Sequence, residues 1–369
     1  MKFFVTRIVS AVLHDHLLMA LAGVAIVMSL WLKPSLVSLG NAIDWPTITT
    51  LSGLLILARG LESSGLLNQL AVSLIRYLHR ERSLGIFLVV AAAVLSMLLT
   101  NDIALFVVVP LTLSLRLLAV LPISRLIIFE ALAVNAGSML SPIGNPQNIL
   151  LWQQSGLSFI GFVSQMLPLT GVIFIALLAL TALCFPSKQI ELNTEKQARQ
   201  ADRSLAQLCA GLFVLFVTAV EYKYSALGLV VVLIVLLWRA RKLIVQADWL
   251  LIIVFMLMFV DIHLLGQLPS LHESLSAWVH GAAMPQLWLS AILSQFISNV
   301  PATILLLQYT PANQAIAYGV NVGGFGLALG SMANLIALRM SGDKTIWWSF
   351  HAYSFPALVF SLGVAALML

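Results

Sequence analysis

With 61% hydrophobic and 9% charged residues over 369 positions, and a mean hydropathy of +1.03, the chain holds more apolar surface than a soluble domain can bury. Its net charge of +5 lies mostly in short segments between apolar runs, the pattern of membrane orientation and not of nucleic-acid binding. Cys184 and Cys209 sit in or beside such runs, so no disulfide framework is implied.

The segment Met1–Leu13 carries Lys2 and Arg7 without a small-residue cleavage site, and reads as retained, not as a removed signal peptide. Apolar runs of bilayer length follow, which predicts an all-α polytopic membrane protein; a β-barrel would alternate instead. The first run is Leu17–Leu32, closed by Lys33 and Pro34; the second is Trp45–Ala58, closed by Arg59 and Glu62. Leu66, Leu70, Leu74 and Leu78 then repeat every fourth residue among Asn68, Gln69, Arg76 and His79, which predicts an amphipathic helix lying at the interface. Ser83–Leu118 is too short for two crossings, which need about 40 residues plus a turn. Thr100-Asn101-Asp102 is therefore expected at the tip of a re-entrant helical hairpin. The next span, Ser124–Ile143, runs into Gly144-Asn145-Pro146-Gln147-Asn148. A helix-breaking, amide-rich stretch at that depth survives only where it is buried in protein or lines a wet cavity. Ser158–Phe185 crosses again, and residues 187–203 form a hydrophilic cytoplasmic linker.

Beyond the linker the runs are Ser204–Val220, Tyr224–Trp238 and Trp249–Leu265, then a weakly amphipathic stretch, Leu268–His280. Pro285–Thr310 is a second hairpin with arms of about 13 residues, roughly 20 Å each, too short to cross twice. Its tip is Ser298-Asn299-Val300-Pro301. Ala312–Leu329 leads into a second break, Gly330-Ser331-Met332-Ala333-Asn334, and Thr345–Leu369 is the last run. The expectation is about nine full spans plus two hairpins.

The halves align with each other. Asp44-Trp45 matches Asp248-Trp249, Asn101 matches Asn299, Asn148 matches Asn334, and Ser155-Gly156 matches Ser341-Gly342, at offsets that drift slowly from 204 to 198 to 186. The first repeat is 1–186, the second 224–369, with 204–223 an extra span between them. With the N-terminus inside and both hairpins re-entrant, every one of the 19 Lys+Arg except Lys33 and Lys223 falls on the inside. The second repeat is then inverted and the C-terminus lies outside. Paired broken helices in inverted repeats are the architecture of secondary transporters, with sites where tips and breaks converge.

Thr100-Asn101-Asp102 before an apolar helix containing Pro110, Ser141 to Asn148, Ser298 to Ala302, and Gly330 to Asn334 resemble the ion transporter superfamily. The likeness is to its citrate-transporter-like group, which includes arsenite permeases, divalent-anion symporters and one class of sodium–proton antiporters. It covers essentially the whole chain. The resemblance implies a homodimer with a static scaffold and a moving transport domain, joined by the amphipathic helices. It also implies paired cation and substrate sites, with Na⁺ near Asn101, Asn145, Asn299 and Asn334. The tips depart from the Ser-Asn-Thr of the sodium-coupled symporters: here they read Thr-Asn-Asp and Ser-Asn-Val.

The candidate ion and substrate contacts are Thr100, Asn101, Asp102, Gly144, Asn145, Asn148, Ser298, Asn299, Ser331 and Asn334. Asp102 is either a proton carrier or cation ligand, or a short polar cap on its helix. Glu130 is either a second proton-coupling group or the partner of Arg125. The amides of Asn101, Asn145, Gln147 and Asn148 suit an uncharged ligand set, or they satisfy the broken backbone. Asp261 and His263, near the outer end of a span, read as interfacially solvated, with a proton relay as the alternative. His14, Asp15 and His16 cannot converge on one helix face as a metal cluster, and His272, Glu273 and His280 read as a wet face. Trp31, Trp45, Trp249, Trp278, Trp347 and Trp348 read as interface anchors. The expected function is secondary-active transport of a small carboxylate or oxyanion coupled to H⁺ or Na⁺, in the plasma membrane and without a cofactor. Cation/proton antiport and arsenite-type permeation are the alternatives, and a channel is a weaker one. No His-Glu-x-x-His pattern, nucleophile–base set or Walker A motif points to an enzyme or an ATP-driven pump.

Overall fold

The computed structural model describes residues 15–191, 202–268 and 282–369, and its elements there are helices, with no strand beyond one isolated bridge between Arg80 and Gln189. In chain order they are α1 (His16–Leu32), α2 (Leu36–Ala42), α3 (Trp45–Ser63), α4 (Leu66–Tyr77), α5 (Glu81–Leu98), α6 (Asn101–Leu115), α7 (Ile123–Ser138), α8 (Pro146–Ser155) and α9 (Phe159–Cys184). After the linker come α10 (Arg203–Glu221), α11 (Ser225–Arg239), α12 (Arg241–Gln246), α13 (Trp249–Leu265), α14 (Ala283–Ile297), α15 (Asn299–Leu306), α16 (Gln314–Val322), α17 (Met332–Met340) and α18 (Ile346–Met368). Four stretches, Glu81–Leu98, Phe159–Cys184, Arg203–Val220 and Ile346–Met368, are long and apolar enough to cross a bilayer, and further apolar helices are shorter.

The helices form two compact units, and each draws on both halves of the chain. One holds residues 15–60 and 207–268. Within it α1 and α2 pack on α13, and the Phe216 ring fills the space that Gly53 and Gly228 leave open. Two features recur there. Asp44 accepts from the Thr47 amide and Asp248 from the Leu251 amide, both at 3.3 Å. The indole of Trp45 reaches back to the Gly40 carbonyl (3.1 Å) and that of Trp249 to Ile244 (2.8 Å).

The other unit holds residues 61–191, 202–206 and 282–369. At its centre lies α7, buried without interruption from Leu126 to Ser138 and packed against α5, α6, α9, α17 and α18. A helix apolar on all sides belongs inside a bundle. In the second half α16 is buried the same way from Ala315 to Val322 and packs on α14. Small residues let these pairs approach. A Cβ on Gly137 would sit on the Ala93 carbonyl and 2.6 Å from Ser96 Oγ; one on Gly323 would lie 2.8 Å from Ser294 Oγ.

The structure refines several sequence expectations. The helix α4 buries Leu67, Asn68, Ala71 and Ile75 and packs on α6, while Leu70 of the leucine stripe is 47% exposed and Leu66, Leu74 and Leu78 are partly exposed. Residues 187–191 are not a free linker. The Ile190 amide donates to the His79 carbonyl (2.9 Å), the Val120 amide to Glu191 (3.0 Å), and Lys188 pairs with Glu81 (3.7 Å). The second hairpin is lopsided, with arms of 15 and 8 residues. The matched arm at Leu268–His280, with His272, Glu273, Trp278 and His280, lies outside the described residues apart from Leu268, as do His14 and residues 192–201 of the linker.

Outside the spans, the α17–α18 turn is fastened to the start of α7 by Ser124 Oγ donating to Asp343 Oδ2 at 2.6 Å. That hydroxyl and the Thr345 donors hold the Asp343 carboxyl below its ordinary 3.8. A depressed folded-state value adds stability above the ordinary one, lost as pH falls below about 5. Asp343→Asn is therefore expected to lower the unfolding temperature of detergent-solubilised protein at pH 7 and to flatten its decline in acid. Gly137→Ala is expected to destabilise by about 1–3 kcal/mol through overpacking, against no change for Gly171→Ala, whose Cβ meets open space.

Candidate functional site

The two central helices both stop short. α7 ends at Ser138 and the chain runs irregularly through 139–145 before α8; α16 ends at Val322 and the stretch 323–331, which holds a single 3-10 turn at Ala328–Gly330, precedes α17. Both breaks thus begin upstream of the amide pentapeptides, and Gln147, Asn148 and Asn334 lie in the first turns of the helices that follow. Pro142, Gly144 and Pro146 explain the first interruption, and Gly323, Gly324, Gly326 and Gly330 the second. Beyond the short helices, Gly156 and Gly342 both adopt left-handed φ, +69° and +65°.

Buried amides close the broken backbone. Asn148 Nδ2 donates to the carbonyls of Ser138 (3.1 Å), Met139 (3.1 Å) and Ser141 (3.0 Å). Asn334 Nδ2 donates to Gly324 (2.8 Å), and Gln295 Nε2 to Gly323 (2.8 Å) and Phe325 (3.0 Å). Asn145 caps α8 through Oδ1 to the Asn148 amide (2.8 Å). Its Nδ2 reaches Ser138 Oγ (3.2 Å) and Asn321 Oδ1 (3.1 Å).

The halves also hold each other crosswise. Asn135 Nδ2 of α7 donates to Asn334 Oδ1, and Asn321 Nδ2 of α16 donates to Asn148 Oδ1, both at 2.7 Å. Asn135 and Asn321 stand 186 positions apart, as do Asn148 and Asn334. The helices repeat the exchange: α6, which starts at the first tip, packs on α17, and α15, which starts at the second, packs on α8. Sequence reading missed Asn135 and Asn321. The signal was there, an amide within each apolar run at the offset already found for Asn148 and Asn334.

Around this frame lie polar groups with no partner. At the first tip the Asn101 amide donates to the Gly144 carbonyl (2.9 Å), tying tip to break, and Asn101 Oδ1 accepts from the Asp102 amide (2.9 Å). A Cβ on Gly144 would press on the carbonyls of Ser138 and Ser96. Thr100 occupies the cap position of α6 without a side-chain bond, so Asp102 is not the cap; its Oδ1 is buried and unpartnered. At the second tip Ser298 is fully buried with φ +67°, a strained conformation for a residue with a Cβ. Neither α15 nor α17 has a side-chain cap, and Ser331 Oγ, at the cap position of α17, is buried without a partner. Gln147 Oε1 is likewise unpartnered. Asn299 Nδ2 lies close to Gly324.

Other candidates separate from this cluster. Glu130 is fully buried and accepts from Thr112 Oγ1, with Oε2 unpartnered. Arg125 is not its partner; that guanidinium donates to the Cys184 carbonyl (2.9 Å) and lies over the Phe185 ring. Asp261, in the other compact unit, is only 4% exposed with both oxygens unpartnered, which overturns the solvated reading; His263 bonds Ser38 (3.0 Å) and Gln267 (2.9 Å). Asp15 caps α1. No cluster of His, Cys, Asp and Glu that could hold a metal occurs among the described residues. Trp31, Trp45, Trp249 and Trp348 are exposed, as interface anchors would be.

Two interrupted helices and two helical hairpins, meeting around buried polar groups in an apolar bundle, define a membrane transporter. Residues 4–314 match the profile of the family described as citrate transporter, and the chain belongs to that family. It is 53% identical to the inner membrane protein YbiR of Escherichia coli, over 89% of this chain and 88% of that one. It is 31% identical to an uncharacterized transporter of Methanocaldococcus jannaschii over 82% and 83% of the two chains, and 25% identical to one of Mycobacterium tuberculosis over 89% and 86%.

Removing Asn321 would leave Asn148 Oδ1 and one Asn145 donor buried without this partner. Asn321→Ala is expected to cost about 1–3 kcal/mol, and Asn135→Ala a similar amount by the same exchange. Chemical denaturation in detergent measures both; an unchanged midpoint in either would show that its crossed bond contributes nothing.

Proposed function

We propose that the chain moves a small carboxylate or oxyanion, of the kind the family's name indicates, across the membrane by alternating access coupled to H⁺ or Na⁺. The observation that carries this reading is the set of α-helix N-termini without side-chain caps, at α6, α15 and α17, beside the unpartnered Ser331 hydroxyl. Backbone N–H groups at a helix start attract anions, and half-helix N-termini serve this purpose in transporters. The amides of Asn145, Asn148 and Asn334 hold the frame, which leaves Thr100, Ser298, Asn299 and Ser331 as the substrate contacts. Asp102, with its buried unpartnered oxygen beside the first tip, is the coupling group, and Glu130 a second proton carrier deeper in the same unit. A Na⁺ ion would sit at Asp102 and the carbonyls near Asn101 and Asn145.

The crossed asparagines, the matched glycine caps and the shared Asp-Trp anchors support two structural repeats, over 1–186 and 224–369. The charge distribution supports their inversion, with the N-terminus cytoplasmic and the C-terminus outside. By family likeness the protein works as a homodimer in the plasma membrane.

A second reading, cation/proton antiport, is favoured by the same Asp102 carboxylate. Proteoliposome currents on rapid addition of citrate, succinate, sulfate or arsenite, with and without Na⁺ and at two pH values, separate the two. An anion-dependent current that Asp102→Asn abolishes is the expected result. Silence to every anion, with internal pH rising or falling on external Na⁺, would replace anion transport by antiport.

A further inference from the structure

Away from the breaks, the second compact unit contains a cavity of about 440 Å³ where the end of α6, the start of α7, the α17–α18 turn and the first turns of α18 meet. Its polar lining is Arg116, Ser124, Arg125, Asp343, Ser349 and Tyr353, with Ser341, whose hydroxyl bonds the Leu338 carbonyl and the Asp343 amide. Two guanidiniums face one carboxylate, and that carboxylate is already occupied. Asp343 Oδ2 takes the Ser124 hydroxyl (2.6 Å), and Oδ1 takes the amide and hydroxyl of Thr345 (2.9 and 2.8 Å). Arg125 uses Nη1 on the Cys184 carbonyl (2.9 Å), which orients the side chain but leaves most of its five N–H donors unused. Arg116, at the exposed rim, makes no hydrogen bond to a described residue, and neither do the hydroxyls of Ser349 and Tyr353. The cavity therefore presents an excess of donors and one net positive charge, with its only acid saturated.

That donor set fits a tetrahedral oxyanion, because guanidinium forks pair with phosphate oxygens in two-point geometry. The position narrows the source. Ser349 follows Trp348, whose side chain is 84% exposed, and an exposed tryptophan at the start of a spanning helix marks the headgroup level. Basic pockets between helices at that level take acidic lipid headgroups. A volume of about 440 Å³ also exceeds what a bare inorganic anion fills and admits a glycerophosphate group.

We propose that this cavity binds the phosphodiester headgroup of an anionic phospholipid, with Arg116 and Arg125 on the phosphate and Ser349 and Tyr353 on its glycerol side. The site is separate from the amide frame, and the proposal is independent of which solute the protein carries.

The test uses the full chain, delipidated in a neutral detergent. Phosphatidylglycerol is added in mixed micelles, with phosphatidylcholine as the uncharged comparison and sodium phosphate as the free-ion arm. Thermal unfolding and native mass spectrometry are the readouts. Phosphatidylglycerol should raise the unfolding temperature and leave a bound lipid in the mass spectrum. Arg116→Gln should weaken this at least tenfold, and phosphate should neither mimic nor displace the lipid. Equal binding of phosphatidylglycerol by wild type and Arg116→Gln would overturn the proposal, as would stabilisation by phosphatidylcholine of the same size. Stabilisation by inorganic phosphate, with displacement of the lipid, would reassign the cavity to a free oxyanion. Should Arg116→Gln misfold, Ser349→Ala carries the same comparison.

Discussion

A backbone N–H or C=O left bare in hydrocarbon costs several kcal/mol, and this chain interrupts two buried helices at their most enclosed point. Everything around the breaks answers that constraint. Asn148 turns one amide onto three carbonyls, Gln295 brackets the second break from a neighbouring helix, and Asn145 caps the helix that resumes. The polar residues of the frame are thus largely committed to closing the broken backbone. At the tips and cap positions, by contrast, hydroxyls and helix starts have been left without partners.

The crossed asparagines set the two breaks in a fixed relation. The helix before each break grips the helix after the other, so neither can shift without pulling its counterpart. The halves are nonetheless unequal where chemistry is concerned. The first tip has Asp102 where the second has Val300, and Asn145 caps its helix where Ser331 does not. A symmetric frame thus carries different polar groups at its two tips and caps.

Much of this was legible in the sequence because the relevant signals are local. Apolar run lengths gave the helices, Gly and Pro marked the interruptions, and the offset that pairs Asn148 with Asn334 also pairs Asn135 with Asn321. What escaped was non-local. Asp261 looked solvated from its place near the end of a run, yet tertiary packing encloses it. Asn135 and Asn321 escaped because what distinguishes them is a partner on a helix of the other half of the chain. The breaks were placed a few residues late because amides announce the helix that resumes, while the glycines and prolines before them mark where the previous one stops.

The interleaving of the halves has a consequence for biosynthesis. The compact unit built around α7 takes its first part from residues 61–191 and 202–206 and its second from 282–369. When the first break leaves the ribosome, its backbone can be closed at once, since Asn145 and Asn148 are only a few positions away. The acceptor and donor that Asn321 supplies are still unmade. The early half must therefore wait in the bilayer with α7, its most enclosed helix, lacking the cover of α17 and α18. Assembly of this unit is completed only once α17 and α18 are made, so truncations that spare every residue of the first half but remove these helices still leave its core open to lipid.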